Sequence, residues 1–229
     1  HYLAMLRGGW RPLLRDPQVR WFLAFLASVV GLLCWHLTLS GMPLGTAIRQ
    51  SSFNAVSIMT GTGYGSANFS AWGGFASTLL LMAMFIGGCG GSTTCGVKVF
   101  RLQVLATTAR VQMSRLLRPH AVVLAYYNKR PVAPEVMESV MGFFYLYIVC
   151  FVLLAILLGM TVLDFITALS GAATSISNVG PGLGNLIGAD GNFSAVPDAA
   201  KWIMAFGMLL GRLEFFTVLV MLSPVFWRT

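Results

Sequence analysis

Charge is what this sequence has least of. Asp, Glu, Lys and Arg make up 10% of the 229 residues, against about 25% in soluble domains. With 57% hydrophobic residues and a mean hydropathy of +0.78, a water-facing surface would consist of the large apolar patches that soluble proteins avoid. A soluble domain is therefore excluded. The four cysteines, Cys34, Cys89, Cys95 and Cys150, have neither metal-ligand spacing with histidine nor the pattern of a disulfide scaffold, and read as small apolar packing residues. No Gly-Lys-Ser/Thr string, aspartate pair or Ser/His dyad is present, which argues against a phosphate-loop enzyme or an intramembrane protease. The first residue is His1, with no signal peptide before it, so the chain reads as a piece of something longer or a processed product.

The charge that is present is lopsided: 15 Lys and Arg against seven Asp and Glu, for a net +8. It clusters at residues 7–20 and 98–130, between apolar runs. Excess Lys and Arg in short loops marks the cytoplasmic side of a membrane protein. No basic stripe interleaved with aromatics lies outside these loops, so nucleic acid is not an expected partner.

Residues 21–39 are mostly apolar and long enough to cross a bilayer core of about 30 Å. Residues 46–59 form a weaker, semi-polar segment too short to span, which runs into Thr60-Gly61-Thr62-Gly63-Tyr64-Gly65. Residues 72–86 are again apolar and stop at a glycine-rich stretch, 87–96. Residues 97–118 have helical spacing but too much charge to lie wholly in hydrocarbon. The order then recurs: a span at 140–162, a short segment at 165–177, the loop Asn178-Val179-Gly180-Pro181-Gly182, a polar loop, and a span at 202–227. A shift of 117 places Thr60 on Ser177, Gly63 on Gly180 and Gly65 on Gly182; a shift of 124 places Asn68-Phe69-Ser70-Ala71 on Asn192-Phe193-Ser194-Ala195. The unit is span, short re-entrant helix, glycine loop, span, used twice. The basic loops put both termini in the cytoplasm and both glycine loops entering from outside.

Irregular backbone at membrane depth is tolerated only where it is buried or lines a water-filled cavity. A short helix entering from outside directs its negative dipole end inward, and glycines after it free the backbone to turn its carbonyl oxygens toward one axis, where they replace an ion's hydration shell. Gly61-Thr62-Gly63-Tyr64-Gly65 differs from the potassium-channel string Thr-Val-Gly-Tyr-Gly only at its first two places. A small cation is thus expected at Thr60, Gly61, Thr62, Gly63 and Tyr64, with Ser177, Asn178, Val179, Gly180 and Pro181 opposite. A phosphate-binding turn would need a strand before the glycines. Close-packing glycines do not predict the repeat.

Below the first loop, Gly87, Gly88, Gly90, Gly91 and Gly96, with Ser92 and Thr93, can unwind a helix at little packing cost; the simpler alternative is a helix kink. Arg212 follows Lys201 by 11 residues, about 16 Å at helical rise. That is near mid-membrane, where a charge marks function. It should face the ion path or loop 87–96. A pair with Glu214 is disfavoured because i,i+2 positions point to different faces.

The strings Phe53-Asn54-Ala55-Val56-Ser57-Ile58-Met59-Thr60-Gly61-Thr62-Gly63-Tyr64, residues 87–98, residues 177–184 and Gly211-Arg212-Leu213-Glu214 resemble the Trk/Ktr/HKT potassium transporter superfamily. The similarity is to the C-terminal half of its bacterial TrkH-like subunits, the third and fourth of four repeats. The resemblance implies an all-α membrane fold, in which two span–pore helix–span repeats form half of a pseudo-fourfold, potassium-channel-like pore. Residues 1–19 would be a cytoplasmic segment, 20–119 the third repeat with loop 87–96 as an intramembrane gate, and 120–229 the fourth. It implies potassium as substrate and no covalent cofactor, with no enzymatic activity. The setting is the bacterial inner membrane, with full-length subunits as homodimers docked on a cytosolic nucleotide-binding subunit. Two loops cannot enclose an ion, so the N-terminal half or a second copy must complete the pore. Potassium is expected because Gly63 and Gly180 are both glycine at the loop centres. A sodium-permeable member and a secondary transporter with broken helices are the alternatives, and an ion-coupled symporter stands open beside a channel.

Overall fold

The computed structural model describes residues 16–118, 124–128, 130–213, 220–221 and 227. Seven α-helices dominate these residues: α1 (Pro17–Leu39), α2 (Leu44–Thr60), α3 (Gly74–Phe85), α4 (Val99–Leu117), α5 (Pro134–Gly159), α6 (Phe165–Ser177) and α7 (Asp198–Arg212). Their one sheet pairs β1 (Tyr126–Tyr127) with β2 (Arg130–Pro131).

α1 starts where the sequence supplies a cap: the Asp16 side chain accepts from the Gln18 amide at 2.8 Å, and Pro17 takes the first helical position. Its 23 residues reach about 35 Å. α5, with 26 residues, is longer still. In their most apolar stretches only 17% and 22% of residues are buried. A soluble core helix would be mostly covered, so these helices turn their apolar sides outward, as membrane spans do.

The remaining helices are shorter. α3 has 12 residues, about 18 Å, and does not cross a bilayer by itself. The expected span at 72–86 is thus cut back at both ends. A 3₁₀ turn at Phe69–Trp72 and Gly73, at φ +93°, precede it, and Ile86 leaves helical geometry. The span expected at 140–162 begins six residues earlier, because Pro134 opens it, and ends at Gly159. Val162 is apolar but sits in a turn at φ +63° and is 97% exposed. Asp198, expected in a loop, opens α7 and pairs with Lys201 at 2.9 Å. The expected last span is described without a break only as far as Leu213; Glu214, most of residues 222–228 and the first basic residues lie outside the described residues.

α1 packs on α2, α5 and α7 clasp α6, α4 lies against α5, and α3 reaches across to α6. One core gathers Leu33, Ile58, Met59, Phe69, Leu80 and Met84; another gathers Phe143, Leu154, Leu158, Ile176, Ile187 and Met204. The first core also takes in Ala173, Val179 and Leu183. The two halves of the chain therefore meet around the second glycine loop. The repeated Asn-Phe-Ser-Ala string forms one structure twice: Asn68 and Asn192 each cap a 3₁₀ turn, accepting from the amides of Ser70 at 3.1 Å and Ser194 at 3.0 Å.

Candidate functional site

α2 and α6 end alike. Gly61 and Asn178, related by the shift of 117, are both left-handed C-caps, at φ +68° and +51°. Glycine and asparagine are the residues that tolerate this geometry. Gly63 and Gly180 follow at φ +80° and +116°. The two loops touch. A Cβ built on Gly63 would collide with the Val179 carbonyl oxygen, one on Gly61 would sit 3.5 Å from the Asn178 oxygen, and one on Gly180 would lie 3.5 Å from Gly63 Cα.

The backbone donors of both loops are turned inward. The amides of Gly61, Thr62 and Gly63 donate to Ile58 and Ser57 carbonyls, and those of Asn178 and Val179 to Ser175 and Thr174 carbonyls. The Gly180 amide donates to Thr174 Oγ1 at 2.9 Å. The carbonyl oxygens of Gly61, Thr62, Gly63, Asn178, Val179 and Gly180 accept no hydrogen bond from the described residues. Of these six residues only Val179 is buried, the setting in which backbone acceptors are normally paired. Free acceptors with occupied donors, at the negative ends of two helices, suit a cation and leave nothing for a phosphate.

Side-chain hydrogen bonds that the sequence reading did not anticipate brace these loops. Asn54 donates to Ser66 Oγ at 3.0 Å and accepts from the Ser66 amide at 3.1 Å, tying the outgoing strand to α2. Ser170 does the same to Leu183, accepting from its amide at 2.9 Å and donating to its carbonyl at 3.2 Å. Ser66 and Leu183 are themselves 117 apart. The repeat could have pointed to these positions, but the residue types differ between halves. Ser177 Oγ lies 2.8 Å from the Tyr147 hydroxyl in a buried contact, and the Thr60 and Thr62 hydroxyls are 2.7 Å apart. Asn178 Nδ2 donates to the Met208 carbonyl at 3.0 Å, joining the second loop to α7.

Loop 87–96 is a closed loop whose two ends pair through a parallel bridge, Ile86 with Val97, rather than a kink. The Val97 amide donates to the Phe85 carbonyl and the Gly87 amide to the Val97 carbonyl, each at 2.9 Å. A Cβ on Gly87 would run into the Cys95 carbonyl oxygen, and Gly91 and Gly96 both sit at φ +81°. Gly90 donates to Gln18 Oε1 at 2.6 Å, and Thr94 Oγ1 to the Thr60 carbonyl at 3.5 Å. Arg212, the last residue of α7, donates through Nη1 to the Thr93 carbonyl and lies 3.8 Å from Cys95 Sγ. The expected contact of Arg212 with a freed carbonyl of this loop is present. Gly88 and Ser92 approach each other inside the loop, where a Cβ on Gly88 would lie 2.8 Å from Ser92 Oγ. No cluster of three His, Cys, Asp or Glu occurs among the described residues.

Residues 9–228 match the family described as TrkH, cation transport protein. The Trk system potassium uptake protein TrkI of Halomonas elongata is 45% identical over 228 residues, which is 99% of this chain and 46% of that protein. The Trk system potassium uptake protein TrkH of Vibrio parahaemolyticus is 37% identical, across 100% of this chain and 47% of its own length. The crystal structure of the potassium transporter TrkH from Vibrio parahaemolyticus superposes with a TM-score of 0.89 at 36% identity, covering 99% of this chain and 49% of that one. The chain spans about half the length of the curated relatives it matches.

Proposed function

This chain belongs to the TrkH family of cation transport proteins, and on that premise we propose that it forms half of a potassium uptake pathway through a bacterial inner membrane. The observation that carries this reading is the row of unpaired carbonyl oxygens on Gly61, Thr62, Gly63, Asn178, Val179 and Gly180. They form two sides of a selectivity filter, flanked by Thr60, Tyr64, Ser177 and Pro181. Relatives named as potassium uptake proteins at 36–45% identity support potassium as the ion. Residues 20–119 and 120–229 are two repeats of one unit, following the cytoplasmic segment 1–19, with both termini cytoplasmic and the glycine loops reached from outside.

Loop 87–96 is the gate. Its base is closed by backbone hydrogen bonds, and Arg212 holds its tip through the Thr93 carbonyl. A cation moving inward from the filter meets this loop and a fixed positive charge. The remaining sides of the filter come from two more units, in the same polypeptide or a second copy. α2 supports this reading. Ten of the 13 residues of α6 are buried, but α2 leaves Ile48, Phe53 and Val56 exposed, with Tyr64 beyond it 72% exposed. Full-length subunits pair as homodimers and dock a cytosolic nucleotide-binding subunit on the basic face of α4.

Rubidium uptake into vesicles containing the full-length protein tests the pathway. Gly63→Ser tests the filter, since a side chain there must displace the Val179 carbonyl. The rubidium-to-sodium flux ratio should fall at least tenfold; an unchanged ratio rejects the filter assignment.

A further inference from the structure

Loop 87–96 is fastened in two places beyond its base. Residues 92–96 are held by Arg212 at the Thr93 carbonyl and by Thr94 Oγ1 at the Thr60 carbonyl. Residues 88–91 have a different anchor: the Gly90 amide donates to Gln18 Oε1 at 2.6 Å. The approach needs glycine, since a Cβ on Gly90 would lie 3.1 Å from that oxygen.

Gln18 sits on a fixed point. Its backbone amide donates to the Asp16 cap at 2.8 Å, and Gln103 Nε2 donates to the Pro17 carbonyl at 2.9 Å, binding the first turn of α1 to α4. Its side-chain amide donates to the Tyr127 hydroxyl, and the Tyr127 ring meets Phe100 in the first turn of α4 edge-on, with 5.0 Å between ring centres. With the nitrogen turned to Tyr127, the oxygen faces Gly90; the opposite flip would set two N–H donors against each other. The shift of 117 that aligns the two halves places Pro17 on Pro134 and Gln18 on Glu135. Glu135 also comes to this part of the loop, sharing a cleft of about 420 Å³ with Gly90 and Gly91. Equivalent positions at the starts of two equivalent helices thus flank the same two glycines.

A glycine-rich backbone selects no conformation by itself, so side-chain fastenings decide which one loop 87–96 adopts. We propose that Gln18 is a positioning residue of the gate: it holds residues 88–91 closed by accepting from Gly90, while Arg212 holds residues 92–96. This role rests on the reading of the loop as the gate. One neutral hydrogen bond shifts such an equilibrium roughly fivefold.

The test takes two readings on full-length protein. In detergent, labelling of Cys89 by a water-soluble maleimide, located by mass spectrometry, reports release of the loop, because Cys89 is half-buried and adjoins Gly90. In vesicles, rubidium influx reports the gate. Gln18→Met keeps the length of the side chain and removes its amide; labelling and influx should each rise at least threefold. Gln18→Glu keeps an oxygen for the Gly90 amide, and both readings should stay within twofold of wild type. Labelling that does not rise in Gln18→Met, or rises equally in Gln18→Glu, overturns the fastening. Arg212→Gln, measured alongside, separates the two claims. If it raises influx and Gln18→Met does not, Gln18 has no part in gating and the gate reading stands. If neither raises influx while Cys89 labelling rises in Gln18→Met, the gate reading fails and this proposal with it. Should Gln18→Met not fold, Gly90→Ala carries both readings, with the same rises expected and unchanged values overturning the proposal.

Discussion

At Gly211, α7 and α6 meet backbone to backbone. A Cβ there would collide with the Ile176 carbonyl and lie 3.0 Å from Asn178 Nδ2, which itself bonds the Met208 carbonyl. Gly211→Ala should therefore lower stability by about 1–3 kcal/mol, the usual cost of overpacking. Gly159→Ala, with nothing within 4 Å, should be neutral or gain up to about 1 kcal/mol. Thermal unfolding of the two variants in detergent separates them. Asp164 is a second decisive position. It caps α6 by accepting from the Thr167 amide at 3.2 Å, and hydrogen bonding from Thr167 holds its carboxyl below its ordinary value of 3.8. A depressed carboxyl stabilises the fold above its unfolded pKa, and that contribution disappears as pH falls through the folded value. Asp164→Ala should cost about 1 kcal/mol near neutral pH, and the gap from wild type should close below about pH 4. Melting curves across that range report it, and Asp164→Asn should retain most of the cap.

Among the elements, loop 87–96 shows best what sequence could and could not reveal. Its five glycines announce a break, and the position of Arg212 announces a charge near that break. The closed loop that results, with Val97 bonded back to Phe85 and Gly87, could not be read, because a glycine run permits many conformations and selects none. Nor could the bracing by Gln18 or Thr94, whose partners lie far away in sequence. The end points of α2 and α6 were legible to within a residue because each stops at a glycine or asparagine cap, but α2 starts at Leu44 and has 17 residues, longer than the segment 46–59. The starts of α3 and α5 were not, since Gly73 and Pro134 act through local geometry that an apolar count ignores. For the gating role proposed for this loop, the decisive term is charge. A cation within about 4 Å of a fixed positive charge meets roughly 4 kcal/mol of repulsion at an effective dielectric constant of 20. Arg212→Gln removes that barrier and the Thr93 tether together, so rubidium influx through the full-length protein should rise several-fold. Influx at or below wild type, with the fold intact, would count against a gating role.

For the molecule as a whole, the two cores are not independent. Val179 and Leu183, from the second loop, are buried with Leu33, Met59 and Phe69 from the first half, so neither half keeps its loop in place alone. What remains open is the outer face of α2. In the full-length protein this face should be covered by a further unit, while the face of α5 bearing Ile148, 57% exposed, stays toward lipid. Phe53→Cys should accordingly resist a lipid-soluble maleimide in full-length protein and react in this chain alone; Ile148→Cys should react in both. Equal reactivity of Phe53→Cys in the two would mean that α2 has no neighbour. The internal repeat made this symmetry legible, but which face of α2 stays uncovered emerges only from packing.

The shortness of α3 matters also while the chain is being made. At about 18 Å it is too brief to halt in a translocation channel as a finished transmembrane segment, and loop 87–96 follows it directly, with polar backbone that lipid would reject. The ribosome must therefore deliver α4 before the first repeat can leave the channel. The first charges to emerge after α3 are Lys98 and Arg101, three residues apart at the start of α4.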